Sequence, residues 1–172
     1  IHKKEFVLKC KNKTLVFGRN TLVMGVLNIT PDSFSDGGKF LDKEKALKRA
    51  MEMIDEGADI IDIGGESSRP GSKPVELKEE LDRVIPVVKE IAKTSDIPIS
   101  IDTTKAEVAR QAIENGADIV NDISAFRFDK DMTGICAKYN APVILMHMRG
   151  TPQDMQTNVK YDDLMSEIFE YF

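Results

Sequence analysis

The sequence predicts an α/β fold: about the first five βα units of an eight-stranded (β/α)8 TIM barrel, preceded by an N-terminal β-hairpin. Three observations lead there. Short, continuously apolar runs alternate with longer amphipathic ones, the pattern of parallel strands covered by helices on both flanks. One segment repeats: Glu56-Gly57-Ala58-Asp59-Ile60-Ile61-Asp62-Ile63 is answered by Asn115-Gly116-Ala117-Asp118-Ile119-Val120-Asn121-Asp122-Ile123, and each reads as helix end, glycine stop and buried strand. Finally, the apolar runs end on polar side chains, at Asn28, Asp62, Asp102, Asn121 with Asp122, and His147. In a closed barrel all such ends meet on one face, where the βα loops build a site. An open doubly wound sheet would place a glycine-rich phosphate turn after its first strand, and residues 30–38 lack that fingerprint.

The elements follow in order. Phe6-Val7-Leu8 and Leu15-Val16-Phe17 flank a polar turn at Lys11-Asn12-Lys13, which predicts the hairpin, and Gly18 closes it. Strands are expected at 22–27, 60–63, 97–101, 119–120 and 143–146, and helices near 43–56, 76–94, 105–115, 129–140 and from about 161 to the end. Asp42 and Thr104 stand where N-caps belong, and Gly57 and Gly116 where helices should stop. A complete barrel takes roughly 250 residues, and this chain has 172. The expectation is therefore one incomplete barrel domain spanning residues 1–172, its C-terminal units missing: a cleaved chain, an incomplete record or a piece of a longer protein.

Composition narrows the function classes. With 41% hydrophobic residues the chain can bury a core, and its net charge of −5 offers no basic surface for a phosphate backbone. No apolar run nears the roughly 20 residues that span a bilayer. Neither a nucleic acid nor a membrane is thus an expected partner. Two cysteines, Cys10 and Cys136, make no disulfide framework, which points to a reducing, cytoplasmic setting.

The loops after the first two strands carry the chemistry. Thr30-Pro31-Asp32-Ser33-Phe34-Ser35-Asp36-Gly37-Gly38 is long and rich in glycine and hydroxyls, suited to covering a substrate; an ordinary solvated loop has the same composition. Gly64-Gly65-Glu66-Ser67-Ser68-Arg69-Pro70-Gly71-Ser72 offers close backbone approach, hydroxyl donors and a guanidinium fork for phosphate. Without a Gly-Lys-Ser/Thr ending it is no P-loop. Asp102, a carboxylate at a buried strand end, needs donors to offset desolvation. A ring with adjacent N–H and NH2 groups would supply them, and Asn121 could read a neighbouring edge. The plainer alternatives are a helix N-terminal carboxylate or an ion pair with Lys105. Asn28 can give one oxygen to a Mg2+ shell completed by water and phosphate. His147 and Cys136 read as packed side chains, and no His or Cys cluster suits a transition metal.

At these residues the chain resembles dihydropteroate synthases. Met24-Gly25-Val26-Leu27-Asn28-Ile29-Thr30-Pro31-Asp32-Ser33-Phe34-Ser35-Asp36-Gly37-Gly38 is similar to the family's first signature, and Asp62-Ile63-Gly64-Gly65-Glu66-Ser67-Ser68-Arg69-Pro70-Gly71 to its second. Ile99-Ser100-Ile101-Asp102-Thr103, Asn121-Asp122-Ile123 and Met146-His147-Met148 match later strand ends in order. The resemblance implies a pterin-binding barrel that joins 6-hydroxymethyl-7,8-dihydropterin diphosphate to p-aminobenzoate, with sulfonamides as competitors and a homodimer in the full-length family. It implies that Asp102 and Asn121 hold the pterin, that Asn28 ligates Mg2+ beside the diphosphate, and that Ser68 and Arg69 contact substrate and phosphate. Phe34 and Pro70 resemble residues forming the p-aminobenzoate pocket, and Asp62 one that braces loop and substrate. Ser68 stands where the family usually has threonine, which keeps the hydroxyl and loses a methyl.

The family's later strands supply a further pterin-binding aspartate, a lysine and a Ser-x-Arg-x-His phosphate clamp, none of which follows Met148 here. Two other readings stay open: a non-catalytic pterin-binding paralogue or inactive fragment, and a pterin-barrel methyltransferase. The two signature loops favour diphosphate and aminobenzoate over methyl transfer.

Overall fold

A computed structural model describes residues 4–11, 13–30, 38–67, 74–157 and 159–172, with the backbone alone at 38–42. Strands β1 (Phe6–Cys10) and β2 (Lys13–Phe17) form the expected hairpin, paired from Phe6 opposite Phe17 to Cys10 opposite Lys13. Five parallel strands follow: β3 (Met24–Asn28), β4 (Ile60–Gly64), β5 (Ile99–Asp102), β6 (Ile119–Asp122) and β7 (Val143–Leu145). They lie side by side in chain order. An open doubly wound sheet reverses its order at a switch point; the unbroken order found here is that of a barrel wall.

Helices α1 (Gly38–Asp55), α2 (Leu77–Thr94), α3 (Ala106–Glu114) and α4 (Met132–Tyr139) alternate with the strands, and α5 (Leu164–Tyr171) follows β7. Strand side chains alternate between faces. Ile61, Ile63, Ile99, Ile101 and Val120 are buried in one core with Ala46, Ala50, Val84, Val88, Ala109 and Ala112 of the helices. Asp62, Gly64, Ser100, Asp102 and Asn121 therefore face the other, inner side. Gly57 (φ +99°) and Gly116 (φ +118°) end α1 and α3 as expected. In each case the next amide reaches back five residues, Ala58 to Met53 O and Ala117 to Ala112 O, both 2.9 Å. That is a Schellman closure, which needs a left-handed residue and so favours glycine. Asn140 (φ +49°) does the same for α4.

Two cap assignments need correction. Asp42 lies inside α1, which begins at Gly38, and the N-cap of α3 is Lys105 instead of Thr104. The first free amide of α3, at Ala106, is met from outside the helix by Asp129 Oδ2 at 2.8 Å.

The hairpin closes the end of the sheet where the strands begin. Cys10 and Leu15 are buried there with Ile60 and Ile119, against Met24 and Ile144. Lys13 pins it, its Nζ donating to Asp118 Oδ2 and to Ile97 O, both at 2.8 Å. Asp118, 3% exposed, also accepts from Ile99 N at 3.0 Å. Asp118→Ala would strand both donors, so urea denaturation should show a loss of about 3 kcal/mol. A change within experimental error would mean that the apolar contacts alone hold the hairpin.

Candidate active site at the strand ends

The parallel register aligns Asn28 with Gly64, Gly64 with Asp102, and Asp102 with Asn121 in one row across the sheet. Glycine matters at the second place. A Cβ on Gly64 would stand 3.2 Å from Asn28 Oδ1 and 3.4 Å from Asp102 Oδ2, so its absence leaves a notch between those two oxygens. One layer deeper, Asp62 is 4% exposed and its Oδ2 accepts from Asn121 Nδ2 at 3.1 Å. A carboxylate only accepts, so this bond turns the amide N of Asn121 inward and leaves its Oδ1 as the outward-facing acceptor. Asp62 Oδ1 and Ser100 Oγ are buried with no hydrogen-bond partner among the described residues. Burial raises the Asp62 carboxyl above its ordinary value, against the opposing influence of the nearby Ser100 hydroxyl and the Asn121 amide.

Asp102 is the most perturbed group of the row. Desolvation, then the negative charges of Asp62, Glu80, Asp122 and Glu66, push its carboxyl up to about 7, and no hydrogen bond from a described residue opposes them. A carboxyl left in that condition at the mouth of a pocket is poised for a ligand that brings its own donors. Lys105 is not its partner. The ammonium donates instead to Glu80 Oε2 at 2.5 Å and Glu66 Oε2 at 2.6 Å, which removes the ion-pair alternative for Asp102. Glu80 is 1% exposed and also accepts from Thr103 Oγ1 at 2.7 Å.

This second network was not anticipated from the sequence, although a signal exists. On α2 the buried positions are Glu80, Val84, Val87, Val88 and Ile91. Glu80 is thus a carboxylate on an otherwise aliphatic stripe, and such a residue demands a partner.

The remaining candidates fall into place by role. Asp122 is fully buried and braces its own loop, accepting from Ser124 N and Oγ, both 2.7 Å, and from Phe126 N at 3.0 Å. His147 is packed between Tyr171 (ring centroids 4.7 Å apart) and Tyr161 (5.8 Å). Cys136 is a buried thiol whose pKa is pushed up to about 11 by desolvation and by Asp122, which makes it a poor nucleophile at neutral pH. Phe34, Ser68, Arg69 and Pro70 lie outside the described residues, as does the span 31–37 of the first loop. The structure thus brings Asn28, Asp62, Asp102 and Asn121 together at one end of the sheet, opposite the hairpin. Chemically, they offer acceptors to a planar ring with several N–H donors.

The family described as "Pterin binding enzyme" matches residues 24–172. The chain is 54% identical over 156 residues to the dihydropteroate synthase of Synechocystis sp., covering 91% of this chain and 54% of that protein. Among solved structures, Yersinia pestis dihydropteroate synthase with a sulfonamide drug superposes with a TM-score of 0.87 at 46% identity, covering 97% of this chain and 60% of the other. The Xanthomonas albilineans enzyme with 4-aminobenzoic acid gives 0.86 at 40% identity, covering 98% and 59%. The chain thus spans about half the length of the curated relatives it matches.

Proposed function

The chain belongs to the pterin-binding enzyme family, and from that premise we propose that the protein carrying it is a dihydropteroate synthase. It would condense 6-hydroxymethyl-7,8-dihydropterin diphosphate with p-aminobenzoate, giving 7,8-dihydropteroate and pyrophosphate. The observation that carries this reading is the row at the strand ends. There Asp102 has no hydrogen-bond donor among the described residues, and Asp62 turns Asn121 so that its acceptor faces the same side. Pterin presents an amino group and ring N–H groups to such acceptors.

The chain's residues then divide the work. Asp102 and Asn121 hold the ring, and Asp62 keeps the Asn121 amide oriented. Arg69 and Ser68 meet the diphosphate, while Phe34 and Pro70 line the place where p-aminobenzoate, or a competing sulfonamide, lies against the pterin methylene. The C–O bond to the diphosphate breaks with its electron pair going to the leaving group. The electron-rich dihydropterin delocalises the resulting cation, and the aromatic amine attacks it, the ammonium so formed then losing its proton to water. Because the amine is nucleophilic without deprotonation, no strong general base is required. The Asn28 side chain makes no hydrogen bond to a described residue and suits one place in a Mg2+ shell otherwise filled by diphosphate oxygens and water. Among the described residues no group of three or more His, Cys, Asp or Glu forms a cage that could hold the ion by protein ligands alone. When bound, the ion would offset charge on the departing diphosphate.

No helix among the described residues is long and apolar enough to cross a membrane. For the whole protein, the two cysteines without a disulfide framework support the cytoplasm, and the resemblance to the full-length family supports a homodimer. The deciding assay is substrate-dependent pyrophosphate release. Arg69→Ala should weaken the diphosphate-bearing substrate by about 10- to 100-fold, the worth of one or two charged hydrogen bonds, while affinity for the free pterin alcohol stays nearly unchanged. Equal losses for both ligands would contradict the phosphate role. Pterin binding without pyrophosphate release would favour the non-catalytic paralogue.

A further inference from the structure

Between β4 and α2 the described chain runs to Ser67 and resumes at Pro74, and Ser68, Arg69 and Pro70 fall between these flanks in the sequence. Both flanks are tied to the same few groups. Glu66 Oε2 accepts from Val75 N at 3.2 Å, so one carboxylate bridges the two. Arg83 of α2 donates to Gly65 O at 2.6 Å. A Cβ on Gly65 would come within 2.8 Å of Val84 Cγ1 and 3.0 Å of Glu80 Cγ, so the backbone is pressed directly onto α2. Lys105 joins these parts. It sits three residues past Asp102 and spans Glu66 at 2.6 Å and the buried Glu80 at 2.5 Å. Glu80 is in turn bound by Thr103 Oγ1 at 2.7 Å, and Thr103 follows Asp102 directly.

Stability alone is a weak reason for such a cluster, because apolar residues of similar volume often replace a buried ion pair at no cost. What the charged bonds add is direction. Three short contacts fix the height of the Glu66 flank relative to the end of β5, and hence relative to Asp102. Burial opposes the charge on Lys105, yet the hydrogen bonds to Glu66 and Glu80 more than compensate and hold its pKa above the ordinary value. The ammonium therefore stays charged throughout the neutral range.

We propose that Lys105 is a positioning residue that ties Glu66, and through it the chain at Val75, to the strand end carrying Asp102, fixing both flanks of the β4–α2 connection relative to the pterin-holding row. The proposal rests on the synthase reading above. A reaction between two bound molecules is sensitive to such placement, since a misplacement near 1 Å can cost about 100-fold in rate.

The test uses Lys105→Met and Lys105→Arg in the protein that carries this chain. Lys105→Met should lower kcat/KM for p-aminobenzoate by about 10- to 100-fold, with affinity for the pterin alcohol, read by calorimetry, nearly unchanged. Lys105→Arg keeps donors for both carboxylates and should recover most of the loss. A readout independent of activity is hydrogen exchange at the Val75 amide. It should speed up about tenfold or more in Lys105→Met, while the β1–β2 hairpin exchanges as before. If Lys105→Met fails to fold, pairing it with Glu80→Gln removes the stranded charge and carries the same expectations. Parallel losses of pterin and p-aminobenzoate, or unaltered exchange at Val75, would overturn the positioning role. A parent protein that releases no pyrophosphate would instead overturn the synthase reading, and the exchange measurement would still decide whether Lys105 anchors the two flanks.

Discussion

Asp102→Asn is expected to weaken pterin binding by about 100-fold or more and, at pH 8, to raise the melting temperature of the protein. Both effects have one cause. The Asp102 carboxyl is pushed up to about 7 by desolvation and by four neighbouring carboxylates. In the unfolded chain it would titrate near its ordinary 3.8. Between about pH 4 and pH 7 the folded chain thus keeps a proton that the unfolded chain has released. Stability falls as the pH rises through that window and stays reduced above it, by an amount on the order of a few kcal/mol. Asparagine carries no charge and escapes the penalty. It also turns one acceptor into a donor, which would confront the donors of a pterin. The difference in melting temperature between variant and parent should therefore grow from pH 4 to pH 8. A constant difference would mean that Asp102 ionises in the folded state as an ordinary carboxyl does. The same linkage acts on the ligand: a pterin that donates to Asp102 binds the ionised form, so affinity should drop about tenfold per pH unit below 7.

The sequence already disclosed the row that makes this expectation possible. Asn28, Asp62, Asp102 and Asn121 were legible because a polar residue ending a continuous apolar run is a local anomaly, and parallel pairing carries each such end to the same side. Gly57 and Gly116 were legible for a similar reason, since a helix ending in a left-handed residue favours glycine. The caps failed where the partner came from elsewhere. The amide of Ala106 is met by Asp129, 23 residues away, and no local pattern announces that bond. Lys105 presented the same difficulty in stronger form. Its near neighbour in sequence is Asp102, but the closest carboxylates in space belong to Glu66 and Glu80, 39 and 25 residues distant. Charge pairing in a βα fold is settled by which loops stand side by side, and that depends on strand register.

Asp122→Ala should cost about 3–5 kcal/mol of stability and leave the ligand affinity of the folded fraction nearly intact, the reverse of Asp102→Asn. The two residues look alike in sequence, each a carboxylate closing a short strand, and differ in what surrounds them. Asp102 meets no donor among the described residues, whereas both oxygens of Asp122 are taken by Ser124 N, Ser124 Oγ and Phe126 N. That loop holds two non-glycine residues in the left-handed region, Ala125 at φ +51° and Phe126 at φ +66°. Each costs about 1–2 kcal/mol, and the Asp122 carboxylate offsets that strain by collecting the amides the turn brings together. Alanine would leave these donors buried without an acceptor and let the turn relax. Asn121 should keep its place, because its carbonyl still accepts from Thr103 N at 3.0 Å and its amide still meets Asp62. Urea denaturation should rank the losses Asp122→Ala above Asp122→Asn, which keeps one acceptor, and both above Ser124→Ala. Calorimetry with the pterin alcohol then separates brace from ligand contact. If Asp122→Ala left stability unchanged but abolished pterin binding, Asp122 would belong to the ligand-holding row, and the donors now bound to it would have to be free to turn toward another acceptor.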